Sequence, residues 1–121
     1  MNKISEYYKP FLEATEKAAI AAAKLRGCKD GKKADQAATE AMRSVLSNQE
    51  ILTTVVIGEG ERDEAPMLFI GEKLGKDDSE IKVDIAVDPL ECTNHCAFNL
   101  PDSIAVLAGA PPGSLLHAPD T

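Results

Sequence analysis

The stretch Val55-Val-Ile-Gly-Glu-Gly-Glu-Arg-Asp-Glu64 places four carboxylates within six positions directly after an apolar run. That run, residues 52–57, is rich in β-branched side chains and ends at Gly58, which predicts a strand covered on both faces. In layered α/β folds, ligand sites gather at the carboxyl ends of strands. The stretch therefore indicates an α/β fold with a charged site at one sheet edge.

Helical patterns precede this strand. Apolar residues recur at helical spacing from Ile4 to Leu25, and Gly27 ends the pattern. A second helical pattern runs from Ala34 to Leu46. We expect two closely packed, alanine-rich helices.

A third helix is expected after the acidic stretch. Asp63 is suited to cap it, Pro66 fits its first turn, and Gly75 marks its end. Residues 76–80 then form a polar loop.

Two more strands are expected downstream. Residues 83–87 form the second strand, which carries the inward charge Asp84 near its start, and Pro89 turns the chain at Asp88. Residues 103–110 form the third strand. Helices and strands therefore alternate in a layered α/β plan.

The composition limits the function. The chain has 121 residues, enough for one domain, and a formal net charge of −7. This negative charge argues against a nucleic-acid surface, which needs positive groups to replace phosphate counterions. An acidic chain that acts on a phosphorylated substrate needs cations as intermediaries.

The N-terminus has no apolar segment of signal-peptide length, and the chain has no uninterrupted apolar run of membrane-spanning length. We expect a cytoplasmic protein that does not contact a membrane. The cysteines Cys28, Cys92 and Cys96 form no CxxC pair, so we expect reduced, incidental thiols. A softer metal bound by Cys92 and Cys96 remains an alternative.

Acidic residues fall in three clusters. Each cluster alone also fits a solvated helix start or an ordinary polar turn. If neighbouring strands bring them together, however, repulsion requires cations, and oxygen ligands suit Mg²⁺ or Mn²⁺. The clusters are Asp35 on the second helix, Glu59-Gly-Glu61-Arg-Asp63 after the first strand, and Asp88-Pro-Leu-Glu91-Cys92-Thr93 after the second.

The motifs together resemble the N-terminal part of class II fructose-1,6-bisphosphatases. The resemblance rests on Ala34-Asp35-Gln-Ala, Val56-Ile-Gly-Glu-Gly-Glu-Arg-Asp-Glu-Ala-Pro-Met-Leu68, Gly71-Glu72 and Val83-Asp-Ile-Ala-Val-Asp-Pro-Leu-Glu91. The Asp-Pro-x-Glu turn is similar to a turn of the wider lithium-sensitive, metal-dependent sugar and inositol phosphatases. The resemblance implies an α-β-α-β-α fold in the complete family member.

The resemblance also implies roles for individual residues. The residues that match metal ligands of the family are Asp35, Glu59, Asp88 and Glu91. Thr93 matches the residue whose hydroxyl helps to activate the nucleophilic water. Glu61 and Asp63 match acidic residues that support catalysis. The segment Glu91-Cys92-Thr93 matches the one that meets the substrate phosphate.

The implied reaction is metal-dependent hydrolysis of the 1-phosphate of fructose 1,6-bisphosphate, which yields fructose 6-phosphate and phosphate in gluconeogenesis. Sedoheptulose 1,7-bisphosphate or an inositol phosphate are alternative substrates. A non-catalytic remnant that acts as an interaction module is an alternative of another class.

Two departures from the family pattern matter. Cys92 stands where the family usually has glycine, which accepts positive φ and leaves room for a phosphate. Family members are also far longer, so residues 1–121 correspond to an N-terminal metal-binding part without the C-terminal part. We therefore expect little activity from this chain alone, and association into a homo-oligomer through exposed apolar surface.

Overall fold

A computed structural model describes residues 7–117 of the chain. The predicted helix start at Ile4 and the last four residues lie outside this range. The elements are α1 (Tyr8–Ala23), α2 (Gly31–Ser47), β1 (Leu52–Ile57), β2 (Lys73–Gly75), β3 (Lys82–Glu91), α3 (Thr93–Ala97) and β4 (Ile104–Ala110).

The four strands form one mixed sheet in the order β2-β1-β3-β4. The central strands β1 and β3 run parallel, with Leu52 opposite Lys82 and Ile57 opposite Ala86. The edge strands β2 and β4 are antiparallel to their neighbours. Because β1 and β3 are parallel, their carboxyl ends meet at one edge, and the predicted α/β fold is confirmed.

Helices α1 and α2 pack against each other and against the sheet. The buried residues of α1 are Ala14, Ala18 and Ala22, one turn apart, and their small side chains let this part of the helix approach its neighbours closely. Helix α2 begins after Asp30, whose side chain accepts a hydrogen bond from Lys33 N at 3.2 Å. This cap fixes the turn that precedes Asp35.

The predicted third helix is wrong. Within the described residues, the segment from Asp63 to Gly75 forms no helix and instead contains turns and the short strand β2. Backbone groups of this segment form hydrogen bonds with other parts of the chain. For example, Gly71 N donates to Val55 O of β1 at 2.7 Å. Leu68 takes a positive φ of 53°, which no helix accommodates. Tertiary hydrogen bonds therefore override the local helix signals.

The predicted turn at Asp88 is also wrong, because β3 continues through Pro89 to Glu91. Pairing of β3 with β1 ends at Ala86, and the register against β4 shifts between Asp88 and Glu91. Pro89 lies inside this irregularity, where a missing N–H removes no ladder hydrogen bond. The strand therefore carries Asp88 and Glu91 beyond the end of β1.

No helix among residues 7–117 is both long enough and apolar enough to cross a membrane.

Candidate functional site

A cavity of about 280 Å³ lies between α2 and the segment that follows β1. Two of the predicted metal ligands, Asp35 and Glu59, contribute to its wall. The cavity is lined by Asp35, Gln36, Thr39, Glu59, Glu64, Ala65, Pro66 and Met67.

Thr39 joins the two predicted ligands of this cavity. Its hydroxyl, in a residue that is only 5% exposed, lies 2.8 Å from the backbone oxygen of Asp35 and 3.2 Å from Glu59 Oε1. Because a hydroxyl carries a single hydrogen, Thr39 serves one of the two oxygens at a time or shares its hydrogen between them. Sequence reasoning missed Thr39, which falls on the same helix face as Asp35, one turn later.

The backbone after β1 fixes the position of Glu59. Glu59 N donates to Leu68 O at 2.9 Å. A Cβ added at Gly58 would collide with that same Leu68 oxygen and would lie 2.6 Å from Val55 Cγ1. Only glycine therefore allows the chain to pass this close to Leu68 and present Glu59 to the cavity.

A buried carboxylate holds the turn that supports Glu59. Glu72 is 7% exposed and accepts a hydrogen bond from Leu68 N at 2.8 Å. It also accepts from Nε of Arg43 at 3.2 Å and from Nη2 at 3.1 Å. The Arg43–Glu72 pair thus connects α2 to the turn that carries Leu68, the partner of Glu59.

Asp35, Asp88 and Glu91 interact electrostatically across the sheet edge. Burial, followed by the charge of Asp88, raises the pKa of Asp35. Burial, followed by a hydrogen bond and the charge of Glu91, raises the pKa of Asp88 to about 6, although Leu90 N–H opposes the shift. In both residues, partial desolvation and a neighbouring negative charge destabilise the ionised form of the carboxyl group.

The predicted catalytic acids Glu61 and Asp63 lie elsewhere. Both side chains are exposed on the turn of residues 61–64 and do not line the cavity. Glu64, which sequence reasoning gave no role in the site, does line it. The turn is closed by Glu64 N, which donates to Glu61 O at 2.9 Å.

Cys92 adopts the left-handed conformation, with φ 65° and ψ 60°, directly before α3. Its carbonyl oxygen accepts a hydrogen bond from Ser103 Oγ at 2.8 Å. The family glycine at this position suits such a φ, so Cys92 introduces strain there.

Thr93 begins α3, close to the start of α2. A Cβ added at Gly31 would lie 3.5 Å from Thr93 Oγ1 and 3.0 Å from Asn94 Oδ1. The helix that carries Asp35 therefore starts against the turn that carries Thr93. The predicted phosphate-binding segment lies beside the helix that carries the first predicted metal ligand.

A thiolate site of Cys92 and Cys96 is not favoured, because Cys96 is buried and its Sγ donates to Ala22 O at 3.3 Å, whereas Cys92 is exposed. Among residues 7–117, no group of three His, Cys, Asp or Glu side chains is arranged to hold a metal ion. The acidic side chains instead form the pairs Asp35–Asp88 and Asp88–Glu91. Carboxylate oxygens are the donors that fit hard divalent cations.

An open cavity with carboxylates at the carboxyl edge of parallel strands defines an α/β protein with an acidic, oxygen-donor site. The sequence model described as "Bacterial fructose-1,6-bisphosphatase, glpX-encoded" matches residues 5–121. The chain belongs to this family of phosphoric monoester hydrolases, as the motifs indicated.

Curated relatives give the same result. The chain is 55% identical over 109 residues to a D-fructose 1,6-bisphosphatase class 2/sedoheptulose 1,7-bisphosphatase of Prochlorococcus marinus (strain AS9601), covering 90% of this chain and 32% of the relative. A protein of the same name from Synechococcus elongatus is 48% identical over 120 residues, with 90% of this chain and 35% of the relative covered. The chain therefore spans about a third of the length of these relatives.

Proposed function

We propose that this chain forms the metal-binding part of a phosphatase that hydrolyses the 1-phosphate of fructose 1,6-bisphosphate, giving fructose 6-phosphate and phosphate in gluconeogenesis. The observation that carries the proposal is that Asp88 and Glu91 lie at the end of β3, past its last pairing with β1, where Asp88 interacts with Glu91 and with Asp35 on α2. Neighbouring carboxylates repel one another at neutral pH, and a bound cation offsets that repulsion.

Asp35, Glu59, Asp88 and Glu91 are the proposed ligands of Mn²⁺ or Mg²⁺. A bound divalent ion would supply charge for the phosphate oxygens and lower the pKa of a bound water. Thr39 would orient Glu59 toward the cavity through the 3.2 Å contact between its hydroxyl and Glu59 Oε1. These roles require only oxygen donors, which is what the site contains.

The Glu91-Cys92-Thr93 segment is the proposed contact for the substrate phosphate. Thr93 Oγ1 would accept a hydrogen bond from the attacking water or donate one to the ester phosphate. The proximity of Thr93 to the start of α2 supports this role, because that helix also positions Asp35. Glu61 and Asp63, on the exposed turn, would support catalysis from the rim of the site.

Sedoheptulose 1,7-bisphosphate is a second candidate substrate, because the relatives from Prochlorococcus marinus and Synechococcus elongatus are named for activity on it as well. An inositol phosphate has less support, since neither of these two relatives is named for activity on one. A non-catalytic remnant is favoured by one observation, the left-handed Cys92 at the phosphate-binding turn.

Cytoplasmic location and a homo-oligomeric state complete the proposal. Association is supported by the exposed side chains of Ile104 and Val106 on β4, which are 55% and 42% exposed. Light scattering of the purified chain at several concentrations tests it. A monomer at every concentration would contradict this part of the proposal.

A chimera tests the phosphatase function. This chain would replace the matching segment of the Synechococcus elongatus relative, which supplies the rest of the family chain. We expect Mn²⁺-dependent phosphate release from fructose 1,6-bisphosphate, measured beside sedoheptulose 1,7-bisphosphate and an inositol monophosphate.

Matched variants sharpen this test. Asp88→Asn should abolish phosphate release, whereas Asp84→Asn, on the same strand and half-buried, should retain it. A folded chimera that hydrolyses none of the three substrates would contradict the phosphatase function and support the remnant. If Cys92→Gly then restored hydrolysis, the loss would be traced to that turn.

A further inference from the structure

The loop before α2 crosses α3 at a point where each of them carries a cysteine, Cys28 in the loop and Cys96 in the helix. Gly27 N donates to Cys96 O at 3.0 Å, and Lys29 N donates to Ala97 O at 2.7 Å. These two hydrogen bonds flank Cys28 and hold its backbone alongside Cys96.

These contacts place the two cysteines near each other. The two direct backbone hydrogen bonds, one on each side of Cys28, keep the loop against residues 96 and 97. Disulfides need Cα atoms separated by about 4.4–6.8 Å. The side chains also interact, because burial and then the charge of Cys28 raise the pKa of the Cys96 thiol. To form a disulfide, both side chains rotate away from their present contacts, Cys28 Sγ from Asp30 O and Cys96 Sγ from Ala22 O.

The two thiols differ in access. Cys28 is exposed, and its Sγ has only a weak contact with Asp30 O at 3.4 Å. Cys96 is 7% exposed, with its Sγ donating to Ala22 O at 3.3 Å. An oxidant in solution reaches Cys28 first, and Cys96 is positioned to react with the product.

We infer that Cys28 and Cys96 form a reversible dithiol–disulfide pair that joins the loop before α2 to α3. With a disulfide oxidant such as oxidised glutathione, the Cys28 thiolate attacks one sulfur and releases the first glutathione thiol. The Cys96 thiolate then attacks Cys28 Sγ and releases the second. The protein loses two protons and two electrons, and the oxidant gains both to become two thiols.

The link would fix two parts of the proposed site relative to each other. The loop leads into α2, which carries Asp35, and α3 begins at Thr93. Gly31 already lies against Thr93 and Asn94. Closure of the disulfide restricts separation of α2 from α3, which hydrogen exchange reports as slower exchange of the Gly27 and Lys29 amides. The inference itself rests on the hydrogen bonds that flank Cys28 and does not depend on phosphatase activity.

Mass spectrometry of the purified full chain tests the pair. The wild type is incubated with oxidised glutathione in native buffer, blocked, and digested with trypsin, which releases residues 27–29 and residues 83–121 as separate peptides. We expect a chain that has lost two hydrogens, with these two peptides linked. Cys92→Gly should give the same link, because it leaves Cys96 as the single cysteine of the second peptide.

Control variants and a denatured sample complete the test. Cys28→Ser, at an exposed position, should remove the link without unfolding the chain, as circular dichroism would verify. In urea the two backbone segments separate. The chain should then carry mainly glutathione adducts rather than the Cys28–Cys96 disulfide. If the folded Cys92→Gly chain carries a glutathione adduct on Cys28 or free thiols, with no link, the inference is overturned.

Discussion

The pKa of Asp88 couples the acidic site to the stability of the fold. Burial and Glu91 raise this pKa from 3.8 to about 6. A carboxyl group that binds its proton more tightly in the folded state stabilises the fold at low pH. That stabilisation is lost as the pH rises through about 6.

Asp88→Asn should therefore stabilise the metal-free chain at neutral pH. The amide removes the charge beside Asp35 and Glu91 but keeps Oδ1, which accepts from Leu90 N at 3.3 Å. We expect the free energy of unfolding to rise by about 1 kcal/mol at pH 7.5, after allowance for solvent screening, and by less at pH 4. Urea denaturation at both pH values measures this, and a variant less stable than the wild type at pH 7.5 would contradict it.

Cys92 is strained by its backbone, and glycine should relieve that strain. A non-glycine residue at φ 65° costs about 1 kcal/mol. We expect Cys92→Gly to raise the free energy of unfolding by up to about 1 kcal/mol, because glycine's greater freedom when unfolded offsets part of the gain. Cys92→Ala is the matched control, since it removes the thiol and keeps the strain. Equal stabilities for the two variants would argue against strain at this turn.

At the scale of elements, the Arg43–Glu72 pair holds the segment between β1 and β2. Glu72→Gln should weaken both hydrogen bonds from Arg43 and the bond from Leu68 N. We expect a loss of about 2 kcal/mol in the free energy of unfolding, less than for a fully buried pair because Arg43 is 38% exposed. Amide exchange at Glu59, whose N–H binds Leu68 O, should accelerate.

The surface pair Lys76–Glu50 provides the matched control. Its charged atoms are 3.6 Å apart, but Glu50 is 90% exposed. Glu50→Gln should therefore change the free energy of unfolding by less than about 0.5 kcal/mol. A similar effect from both substitutions would mean that Glu72 is no more than a surface charge.

Local periodicity predicted α1, α2 and the two parallel strands, because each buries one regular apolar pattern. It failed between residues 63 and 75, where the helix signals at Asp63 and Pro66 compete with long-range bonds. Gly71 N binds Val55 O, and Arg43 on α2 binds the Glu72 carboxylate. Such partners are distant in sequence, so no local pattern contains them.

The acidic clusters were predictable as clusters, but their arrangement was not. Packing of α2 against β3 brings Asp35 within the influence of the Asp88 charge, and that packing joins residues that are distant in sequence. For the same reason, the sequence alone did not reveal Thr39 and Glu64. Thr39 on α2 contacts Glu59, and Glu64 lines the same cavity from the segment after β1. Glu61 and Asp63 are close to Glu59 in sequence, yet their turn directs them to solvent.

At the scale of the whole molecule, we expect this chain to bind a metal ion but not to hydrolyse the substrate. The chain spans about a third of the length of its relatives, and its cavity at Asp35 and Glu59 is open. We expect the purified chain to release no phosphate from fructose 1,6-bisphosphate in the presence of Mn²⁺, by a colorimetric phosphate assay. Mn²⁺-dependent release that Asp88→Asn abolishes would show that this chain alone is sufficient for catalysis.

The central claim is that these carboxylates form a divalent-cation site, and isothermal titration of Mn²⁺ into the folded chain tests it most directly. We predict saturable binding in the wild type and in Asp84→Asn, and loss of binding in Asp88→Asn and Asp35→Asn. Circular dichroism on each sample verifies that it is folded. Equal Mn²⁺ binding by all four proteins, or no binding by a folded wild type, would contradict the claim.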